Sequence, residues 1–120
     1  MNDLVVENTS KTPSVSFNAQ SGELLIKGVS VPENSSRIYK PLMKWIEEYV
    51  EKPAQKTTCT FNYEYINTSS LQFIFSIIET LKQLDNIEFV WYYFKDDEDI
   101  FEIGEDFEES SEIKFRFVAY

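Results

Sequence analysis

The sequence has no histidine and one cysteine, Cys59. The first absence removes the commonest general base and metal ligand, and a single thiol builds neither a Cys-rich zinc site nor an intrachain disulfide. Only three glycines are present, Gly22, Gly28 and Gly104, at spacings that form neither a phosphate-cradling loop nor a dinucleotide fingerprint. No apolar run approaches the ~20 residues needed to cross a bilayer. Basic residues are scarce, 11 against 21 acidic ones, for a net charge of −10. Such a chain repels nucleic-acid phosphates and anionic membranes, so protein partners are expected. Its start, MNDLVVENTSK, lacks the basic and apolar regions of a secretory signal, and the expected compartment is a reducing cytoplasm.

What is present suffices for a core: 42% of the 120 residues are apolar and 16% aromatic, which predicts one folded domain over residues 1–120. Ser14–Phe17 and residues 24–26 alternate on either side of a polar turn and predict a hairpin. Ile38, Leu42, Trp45, Ile46 and Tyr49 follow at helical spacing, with Asn34 or Ser35 as cap and Pro53 as stop. Pro41 lies inside that pattern and places the regular helix from about Tyr39.

Thr57–Ile66 alternates, with Cys59, Phe61, Tyr63 and Tyr65 on a dry face, where Cys59 is a packing residue. A second helix over residues 71–85 carries Leu71, Ile74, Phe75, Ile78 and Leu81 on one stripe. Phe73 and Ile77 fall off it, as partner contacts or further core. The run IEFVWYYF, apolar on both faces, is a central strand; a third helix carries Ile100, Ile103 and Phe107, and a last strand, IKFRFV, turns Lys114 and Arg116 outward. The order predicts a mixed five-stranded α/β sheet, an N-terminal hairpin followed by β-α-β-α-β-α-β, with the last four strands parallel. Polar faces on two strands favour two layers, with the helices mainly on one side.

Residues 96–112 hold ten acidic side chains and no basic one. They form a solvated face or a constitutive docking surface for a basic partner, and the spacing of a calcium loop is missing. An enzyme using carboxylates alone is disfavoured, because no acid and base pair can be placed in a cleft. The turn Tyr65-Ile66-Asn67-Thr68-Ser69-Ser70 follows the carboxyl end of a parallel strand, where open α/β sheets place their sites. Asn67 or Thr68 can cap the helix there. A phosphate on Thr68 would meet the positive end of that helix, while a partner covering it would face about −2 of new charge.

The residues Thr-Pro-Ser at 12–14, Pro32-Glu33-Asn34-Ser35 before the first helix, Tyr65-Ile66-Asn67-Thr68-Ser69-Ser70 before the second, and the aromatic strand resemble the SiaC-type bacterial regulatory phosphoproteins over nearly the whole chain. The resemblance implies a fold like that of the STAS-type anti-sigma factor antagonists and carries the family's phosphoacceptor onto Thr68. It implies no cofactor and three protein partners. These are a Ser/Thr kinase of histidine-kinase-like fold, a metal-dependent phosphatase, and an effector such as a diguanylate cyclase governing biofilm formation. Whether Ser69 or Ser70 also accepts phosphate stays open.

Overall fold

The computed structural model describes residues 1–120. The elements run β1 (Leu4–Val6), β2 (Ser14–Phe17), β3 (Glu23–Ser30), α1 (Ser35–Tyr49), β4 (Thr57–Ile66), α2 (Thr68–Leu81), β5 (Ile87–Tyr93), α3 (Glu98–Ser111) and β6 (Phe115–Ala119). The sheet has six strands rather than five. Leu4, Val5 and Val6, too few to show an alternation, add antiparallel to the free edge of β2, with Leu4 opposite Phe17 and Val6 opposite Val15.

Strand order follows chain order from β1 to β6, and β3 to β6 are parallel. Crossovers of one hand between strands that advance in one direction put every helix on the same side. The result is the two-layer arrangement that the polar strand faces predict. Two rows of side chains cross the covered face in register. Phe17, Leu24, Cys59, Phe89 and Phe115 form one, and Val15, Ile26, Phe61, Trp91 and Phe117 the other. The helices close over them through Trp45 against Phe17 and Phe107 edge-on against Trp91.

β5 lies between β4 and β6, an interior place as expected, and its second apolar side needs no helix: Val90 is shielded between its sheet neighbours Thr60 and Arg116. Two local expectations are corrected. The alternation of β4 breaks at a bulge, because Gly28 pairs with Tyr63 and Val29 already with Tyr65. Tyr65 therefore leaves the dry face and is 59% exposed, while Ile66 turns inward. Gly28, at φ 124°, supplies a backbone conformation that a side chain would oppose. Finally, α1 begins at Ser35, four residues before the expected start, and contains Pro41. Pro41 and Arg37 lie on the exposed side, where water can satisfy the Arg37 carbonyl that loses its amide partner.

No helix is long and apolar enough to cross a membrane.

Candidate functional site

β3 and β4 end side by side, Ser30 opposite Ile66, and each chain end turns into a helix. The Asn67 amide donates to the Ser30 carbonyl at 2.8 Å, and the Asn67 Nδ2 reaches the carbonyl of buried Pro32 at 3.4 Å. These bonds join two motifs that are about thirty residues apart in sequence. Asn34 caps α1 by accepting from the Arg37 amide at 3.2 Å, and Glu33, fully on the surface, pairs with Lys11 at 3.3 Å.

Asn67, not Thr68, caps α2. Its Oδ1 accepts from the Ser70 amide at 3.1 Å, the Ser70 hydroxyl at 2.6 Å and the Ser69 hydroxyl at 3.3 Å. The Ser69 hydroxyl also shares a short hydrogen bond with that of Ser35, which clasps the two helix starts together. Thr68 is the first helical residue; it is exposed, and its hydroxyl joins none of the side-chain hydrogen bonds around it.

Beneath this surface a line of hydroxyls runs into the core. Ser70 meets Ser30 at 2.9 Å, Ser30 meets Tyr39 at 2.6 Å, and Tyr39 meets Tyr63 at 3.0 Å. Burial pushes the Tyr63 hydroxyl well above the ordinary tyrosine value and that of Tyr39 upward as well, so both stay neutral donors and acceptors. The alternation placed Tyr63 on the dry face as an apolar ring, and Tyr39 entered only as the expected start of the first helix. The available signal was the choice of tyrosine over phenylalanine at two inward positions, since a buried phenol needs a partner.

Of the two readings open for Phe73 and Ile77, partner contact or further core, Ile77 takes the core one. Ile77 is fully buried, and Phe73 is half-buried and stacked on Tyr39 of α1 with ring centroids 5.6 Å apart. The reason is that α2 is flanked by both other helices, with Phe75 stacked on Phe107 of α3, so its buried arc is wider than one stripe. Cys59 is fully buried and desolvation pushes its thiol up, as befits a packing residue.

Along residues 96–112, Asp97 caps α3 through the Ile100 amide at 3.1 Å, and Glu108 accepts from the Phe115 amide at 2.8 Å, tying α3 to β6. Glu102, Asp106 and Glu109 are exposed. The carboxylates spread along the helix, and no three of them are grouped as cation ligands.

Comparison with known proteins gives a consistent result. The family model described as SiaC family regulatory phosphoprotein matches residues 6–120. A protein of Pseudomonas aeruginosa (strain UCBPP-PA14), described as uncharacterized, is 27% identical over 124 residues, covering 100% of this chain and 98% of its own. The crystal structure of apo-SiaC from Pseudomonas aeruginosa is similar at a TM-score of 0.85 with 27% identity, covering 99% of this chain and 98% of that one. A chain in the crystal structure of the diguanylate cyclase SiaD in complex with its activator SiaC, from the same organism, is similar at a TM-score of 0.89 with 26% identity, covering 98% of this chain and 100% of that one.

Proposed function

This chain belongs to the SiaC family of regulatory phosphoproteins, and from that premise we propose that it is a non-catalytic switch whose reversible phosphoacceptor is Thr68. One observation carries the assignment: of the three consecutive hydroxyls at the start of α2, only that of Thr68 is both exposed and unengaged. A phosphate there sits at the positive end of α2, beside the start of α1, where the helix dipoles favour negative charge. The fold tolerates the modification. A partner resting on the same surface must desolvate a group of about −2 charge, and loses affinity.

The SiaC of Pseudomonas aeruginosa is the activator of the diguanylate cyclase SiaD in their complex. We assign this chain an effector of the same kind, bound in the unphosphorylated state. A Ser/Thr kinase of histidine-kinase-like fold would load Thr68 and a metal-dependent phosphatase would clear it, all in the cytoplasm. The whole chain acts as one regulatory domain.

The test is phosphorylation with the cognate kinase and ATP, mapped by mass spectrometry, with effector affinity measured alongside. Phosphate is expected on Thr68 and none in Thr68→Ala. Thr68→Glu is expected to weaken effector binding by about tenfold or more. Phosphate elsewhere only, or equal affinities of Thr68→Ala and Thr68→Glu, would refute the assignment.

A further inference from the structure

Ser69 stands next to Thr68 on the exposed start of α2, yet its hydroxyl is held from two sides, by Ser35 of α1 and by the Asn67 cap at 3.3 Å. Ser70 is fully buried and bonded to both Asn67 and Ser30. Ser35 is itself 6% exposed, and so is no competing acceptor. We infer that Ser69 is a latent second phosphoacceptor, kept unreactive by the Ser35 hydroxyl; this rests on the assignment of Thr68 as the acceptor.

Transfer requires the acceptor oxygen to attack the γ-phosphorus of ATP. A new P–O bond forms to that oxygen, the bond from the γ-phosphorus to the bridging oxygen breaks, ADP leaves, and the hydroxyl proton passes to a base on the kinase. Thr68 offers an oxygen and a proton with no prior engagement. Ser69 must first give up the hydrogen bond to Ser35, whose atom also occupies one side of its oxygen. With the Ser35 hydroxyl removed, only the long bond to Asn67 remains, and that is weak. Loss of one such bond corresponds to a change in reactive population of several-fold to about tenfold. Ser35 is thus a positioning residue. It lies 34 positions from Ser69 in sequence and adjacent to it in space.

The experiment uses the full chain, its cognate kinase and ATP, with rates of phosphate appearance resolved by site. In wild type, phosphate is expected on Thr68 alone. The double variant Thr68→Ala/Ser35→Ala is expected to gain phosphate on Ser69 at least about fivefold faster than Thr68→Ala alone. Ser35→Thr in the Thr68→Ala background, which restores a hydroxyl, is expected to suppress it again. Ser35→Gly carries the same expectation as Ser35→Ala if the alanine variant melts early. Equal Ser69 rates with and without the Ser35 hydroxyl, while wild type still loads Thr68, would overturn this inference and leave the Thr68 assignment standing. Absence of phosphate from wild-type Thr68 would remove both.

Discussion

At the scale of single residues, the line from the Asn67 amide oxygen through the hydroxyls of Ser70, Ser30, Tyr39 and Tyr63 shows how polar groups can enter a core: each oxygen has a partner. Tyr63 is the inner end of the line. Tyr63→Phe removes one bond and leaves Tyr39 with Ser30, so its cost at neutral pH is expected to be about 1 kcal/mol, read from denaturant midpoints. The same residues set an alkaline limit. Burial raises Tyr63 and Tyr39 above their unfolded values near 10, and the thiol of Cys59 above its own near 8.5. Above those values the unfolded chain releases protons that the folded chain keeps, so the unfolded state binds fewer protons and stability falls as pH rises. Denaturant midpoints are expected to decline from about pH 9 upward, most steeply beyond about pH 10, and less steeply in Tyr63→Phe. Identical slopes in the two proteins would count against this origin.

At the scale of elements, two helices depart from local rules. α1 has no acidic residue in its first turn and no basic one in its last; Arg37 and Lys40 lie toward the positive end, Lys44 continues their exposed stripe past the middle, and Glu47 and Glu48 crowd the negative end. Arg37→Glu places an acid three residues after the Asn34 cap, where it can complete a capping box. It is expected to raise the melting temperature by an amount equivalent to a few tenths of a kcal/mol up to about 1 kcal/mol. In α3 the opposite occurs. Helix propensity favours Gly104→Ala, yet a Cβ there would stand 2.6 Å from Trp91 Cδ1 and Nε1, and Trp91 is fixed by donating to the Ile100 carbonyl at 3.0 Å. Gly104→Ala is expected to destabilise by roughly 1–3 kcal/mol in thermal melts, with a smaller loss if Trp91 is replaced first. Periodicity made all three helices and five of the strands legible, because backbone geometry repeats within each element. It hid the depth of Ile77, since the width of a buried arc depends on how many neighbours the helix has.

At the scale of the whole molecule, the net charge of −10 resides in effect along residues 96–112, and those carboxylates repel one another across an exposed face. Raising ionic strength from about 0.02 M to about 0.5 M is expected to raise the melting temperature by screening, and Glu102→Gln/Asp106→Asn/Glu109→Gln is expected to blunt that rise. The same triple variant should leave phosphate loading at Thr68 unchanged, as measured by mass spectrometry. Impaired loading would show that the acidic face guides the kinase. The sequence alone determined the alternation of strands and helices, the acidic face, and the two short motifs at residues 32–35 and 67–70, all features encoded within a few neighbouring residues. The tertiary structure decided the sixth strand, the bulge that turns Tyr65 outward, and the meeting of Ser35 with Ser69. These depend on which strand ends lie side by side, and that is fixed by the packing of the whole sheet rather than by any local run of residues. Thr68 was visible from the start; that its hydroxyl is unengaged while its neighbours are tied became visible only when β3 and β4 brought two helix starts together.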